Sequence, residues 1–86
     1  MKDTPGLIDY SRATRFLIYT NPDRMDLDGI NATLTDVQSD GRATQVILAL
    51  CTIAHSRDKA LRTEQGTEAL RQIVAALTLR AQHDDD

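Results

Sequence analysis

The sequence predicts an all-α protein, a small helical bundle built around an antiparallel helical hairpin over residues 42–65 and 67–82, with one or two further helices ahead of it. Three observations lead there. Apolar residues beyond Gly41 recur at helical spacing over two long segments, and Gly66 alone separates those segments. Aromatic residues make up only 3% of the chain. Tyr10, Phe16 and Tyr19 all lie in its first quarter, so any core further on must be aliphatic.

In chain order, Thr4 is a candidate cap with Pro5 at the first helical position. Residues 7–20 read as a helix by length, although Phe16-Leu17-Ile18-Tyr19 is also a compact strand-favouring run. Pro22 biases Asn21 away from helical backbone and ends the segment either way. Residues 23–38 carry Leu27, Ile30, Leu34 and Val37 at helical spacing, with Asp26 as candidate N-cap. The alternative is a strand over 30–35, where apolar and polar residues alternate.

Beyond Gly41 the pattern is clearer. Asp40 is a candidate cap for a helix starting near Arg42. Val46, Ile47, Leu50, Ile53, Ala54 and Leu61 fall on one arc of it, and Gly66 reads as its left-handed terminator. Thr67 would then cap the last helix, with Leu70, Ile73, Val74, Leu77 and Ala81 as its apolar stripe. A short turn between two such helices makes them antiparallel neighbours. Leu50, Ile53, Leu70, Ile73, Val74 and Leu77 are the expected core, with Leu50→Ala or Leu77→Ala each costing about 2–5 kcal/mol. Residues 1–82 are expected to be one domain, and 83–86 an acidic disordered tail.

With 86 residues, the chain buries only about 60–65% of its unfolded surface, so its core is thin and self-association is expected. The net charge of −3 is unevenly spread. Residues 1–40 hold four basic and seven acidic side chains, residues 41–82 six basic and three acidic, and the tail adds Asp84, Asp85 and Asp86. Oppositely charged halves can attract one another within a chain or between copies. One cysteine, Cys51, excludes an internal disulfide. No signal-peptide run opens the sequence, and the longest apolar run, Val46 to Cys51, cannot span a bilayer. A cytoplasmic protein is expected. Arginine outnumbers lysine eight to two, a bias that suggests a GC-rich bacterial or phage genome.

No motif carries chemistry. Cys51, His55, Asp58 and Arg62 would line one helix face, where i, i+4 pairs can hold a metal. A zinc site needs further ligands, and the only other histidine is His83. Solvated side chains around a core-edge Cys51 are the favoured reading. Asp23, Asp26, Asp28 and Asp36 resemble a calcium loop in composition. If Gly29 were its sixth position, however, Arg24 and Thr35 would stand where carboxylates are required. Asn31-Ala32-Thr33 is a glycosylation acceptor only in a secreted chain. The four glycines do not cluster into a phosphate loop. No catalytic residue, cofactor or metal ligand is therefore assigned, and the protein is not expected to be an enzyme.

Leu48 and Leu79 point outward from the two long helices and are the candidate partner-binding residues. The expected function is that of a small non-catalytic adaptor, inhibitor or regulator that binds another protein and forms a homodimer. The alternative is a DNA-binding regulator of ribbon-helix-helix type. Strand 30–35 would then enter the major groove with Asn31, Thr33 and Thr35 facing the bases. That strand carries no Arg or Lys, and a helix over 30–35 would remove the model.

Overall fold

The backbone is helical nearly throughout because almost every segment supplies its own start and stop signal. The computed structural model of the protein describes residues 4–84. The protein is all-α: α1 spans Leu7–Tyr19, α2 Leu27–Asp40, α3 Ala43–Arg57 and α4 Glu64–Asp84, with a short 3-10 turn at Lys59–Arg62. No strand occurs among the described residues. The chain forms two compact units, residues 1–54 and 55–86.

In the first unit, α1 opens on Gly6 and not on Thr4. The Asp9 carboxylate reaches back to accept the Gly6 N–H at 2.8 Å, closing one of the donors a helix start leaves open. The α2 start is the predicted one, with Asp26 extended and accepting the Gly29 N–H at 2.9 Å. Residues 30–35 lie inside α2, so the strand required by the ribbon-helix-helix alternative is absent there. The end of α2 is a left-handed cap. Gly41 sits at φ 65, ψ 32, with its N–H bonded to the Gln38 carbonyl at 3.2 Å and the Arg42 N–H bonded to the Val37 carbonyl at 3.1 Å. That pair of bonds is the Schellman arrangement, and glycine adopts its backbone without a Cβ penalty. Asp40 closes α2 and does not cap α3, a correction to the predicted role.

The core of this unit is Ala13 from α1, Val37 from α2, and Val46 and Ala49 from α3, with Tyr10, Phe16, Leu50 and Ile53 packed around it. Two of the four central residues are alanines with no exposed surface. The helices therefore approach closely, and the core is thin in side-chain volume.

In the second unit the predicted long helix 42–65 is broken. Helix α3 ends at Arg57 because Asp58 turns extended and uses its carboxylate to cap the 3-10 turn, accepting the Ala60 N–H at 3.1 Å. This local bond competes with helix continuation. Helix α4 then begins at Glu64, three residues before the predicted start. Thr63 acts as its cap, with Oγ1 accepting the Gly66 N–H at 3.0 Å. Gly66 is not a terminator but sits in the first turn of α4. A Cβ there would lie 2.0 Å from the Ala60 carbonyl oxygen. Its glycine serves close approach of the 3-10 turn to α4, not a left-handed backbone.

The predicted core on the last helix is also corrected. Leu70, Ile73, Val74 and Leu77 are 41–62% exposed, while Leu50 and Ile53 do pack on the core. Helix α4 continues through His83 and Asp84, into the segment expected to be a disordered tail. Residues 85–86 of that tail lie outside the described residues.

Candidate functional site

Two features of the first unit are built rather than incidental. One is an ion-pair clamp. Asp9 and Arg12 lie one turn apart on α1, and Asp40 and Arg42 flank Gly41 at the α2–α3 corner. Asp9 has no exposed surface and accepts Arg42 Nε at 3.2 Å and Nη2 at 2.6 Å, besides the Gly6 N–H. Arg12 is 7% exposed and donates Nη2 to Asp40 at 2.5 Å. The second terminal nitrogen of Arg12, Nη1, is buried without a hydrogen-bond partner. The two pairs run in opposite senses, so the buried charges cancel. Removing one member would strand its partner, which is why such pairs hold a corner in one geometry.

The Arg42 hydrogen bonds hold the Asp9 carboxyl below its ordinary pKa, helped by the Gly6 N–H and, at longer range, by Arg12; burial opposes them. A carboxylate lowered in the folded state adds stability that is complete above the unfolded pKa. That stability is lost as pH falls through the folded value. The clamp should therefore be intact at neutral pH and weaken below about pH 4. Asp9→Asn is expected to lower the melting temperature at pH 7 and to flatten the acid limb of stability against pH. Melts of both proteins from pH 7 to pH 2.5 check this, and parallel acid limbs would exclude Asp9 as the titrating group.

The other feature is an apolar groove of about 340 Å³, lined by Phe16, Leu17 and Thr20 of α1, Leu34 and Val37 of α2, and Ala43, Val46, Ile47 and Leu50 of α3. Its floor is the core itself, through Val37 and Val46. Its rim is open, with Leu17, Leu34 and Ile47 each 42–58% exposed. No charged side chain lines it and Thr20 is the one polar residue of its lining, so it suits a mainly apolar occupant.

In the second unit, α4 presents Leu70, Ile73, Val74 and Leu77 as one exposed stripe at i, i+3, i+4 and i+7. A concavity where the 3-10 turn meets α4 is lined by Arg62, Arg71, Glu64 and Glu68 with Gln65 and Thr67. Its charges balance, so it favours neither an anion nor a cation.

The residues singled out in the sequence are dispersed. Leu48 on α3 and Leu79 on α4 are exposed, at 44% and 58%, each on a different face from the groove or the stripe. Cys51 and His55 are exposed on α3, and Asp58 has left that helix to cap the 3-10 turn. Among the described residues, no group of three or more His, Cys, Asp or Glu side chains is placed to hold a metal ion. No helix among them is long and apolar enough to cross a membrane.

Sequence reasoning missed the clamp. Its only signal was Asp9, a charged residue near the apolar positions of α1, and a solvated carboxylate looks the same in one dimension. The groove was equally hidden, because it is assembled from three helices. Comparison with family models, curated proteins and solved structures found no match to this chain. The fold and its surfaces therefore define the class: a small all-α protein with an open apolar groove and an amphipathic helix whose apolar face is exposed.

Proposed function

We propose that this protein is a non-catalytic helical interaction protein that self-associates, and that it acts as a small adaptor or regulator by binding through apolar helix surface. The stripe on α4 carries this reading. Four large aliphatic side chains in one line, each 41–62% exposed, are more than scattered surface leucines. Burying apolar surface gains about 25 cal/mol per Å². A helix that keeps such a stripe in water forgoes that gain until a partner covers it. The stripe and groove offer more contiguous apolar surface than Leu48 and Leu79, which supports them as the contact in this reading. No observation favours the DNA-binding alternative.

Sedimentation at micromolar concentration tests the reading. A dimer is the expected result, weakening with salt to the extent that opposite charges of the two halves contribute. A monomer across the whole range would overturn self-association.

A further inference from the structure

We draw no further inference here: the strongest candidate, the apolar groove that α1, α2 and α3 form over Val37 and Val46, carries nothing beyond the reading above, because nothing in the structure shows what covers it.

Discussion

Phe16→Ala is expected to cost about 3 kcal/mol of stability, the low end of the range for losing a core phenylalanine, because the ring is partly exposed. Phe16 stands against the buried cluster of Ala13, Val37, Val46 and Ala49, and it also lines the groove. Two of those four residues are alanines, so few large side chains can fill the space it would leave. Small domains hold about 5–15 kcal/mol in all, so the change should remove a large share. A urea titration of both proteins would register this as a lower midpoint with little change in slope. Leu77→Ala makes the contrast. With Leu77 57% exposed, its loss from the dilute monomer should stay within about 0.5 kcal/mol. It should grow only at concentrations where copies associate. Equal costs for the two substitutions would mean that the last helix belongs to the core after all.

Gly66→Ala is the second large effect, and here two principles oppose each other. Alanine is the better helix former by about 1 kcal/mol, so propensity alone predicts stabilisation in the first turn of α4. The added Cβ would lie 2.0 Å from the Ala60 carbonyl oxygen, 2.9 Å from its carbon and 3.1 Å from the Leu61 Cα. All three are backbone atoms, which cannot swing aside as a side-chain end would. Overpacking costs about 1–3 kcal/mol, and a backbone collision belongs at the upper end. Set against the propensity gain, a net loss of about 2 kcal/mol is expected. Amide exchange should speed up across Lys59–Thr67, where the turn is tied by the Asp58 and Thr63 caps. A gain in stability would show that the 3-10 turn leans on α4 less closely than 2.0 Å implies.

The two effects mark where sequence reasoning succeeded and where it stopped. Asp26 caps α2 as predicted, and Leu27, Ile30, Leu34 and Val37 lie on a helix rather than a strand. Those signals are local: a side chain bonding a backbone N–H three residues on, and a period the chain repeats within one segment. Gly66 deceived for the same reason. A glycine after a long apolar arc is a helix terminator by local rules, and nothing nearby in sequence announces that the Ala60 carbonyl will lie against it. The sequence pattern puts Asp58 on the solvated helix face of Cys51, His55 and Arg62. Leu61 keeps the helical spacing past it, while the Asp58 carboxylate bonds the Ala60 N–H two residues on and ends the helix.

By itself, the sequence determined that this protein is built of helices, roughly where they lie, and that α4 is amphipathic. These follow from interactions spanning four residues or fewer, which the order of side chains specifies directly. Only the tertiary structure decided which apolar stripe became core. Helix α4 has the cleaner periodicity, yet Leu70, Ile73, Val74 and Leu77 stay exposed while Ala13 and Ala49 are fully buried. Periodicity says that a face wants burial; it does not say against what. Small residues let α1, α2 and α3 approach closely enough to bury one another. The Asp9–Arg42 and Arg12–Asp40 pairs then hold the corner between residues 28 to 33 positions apart in the chain. Contacts at that separation depend on the path of the whole chain, and no local pattern encodes them.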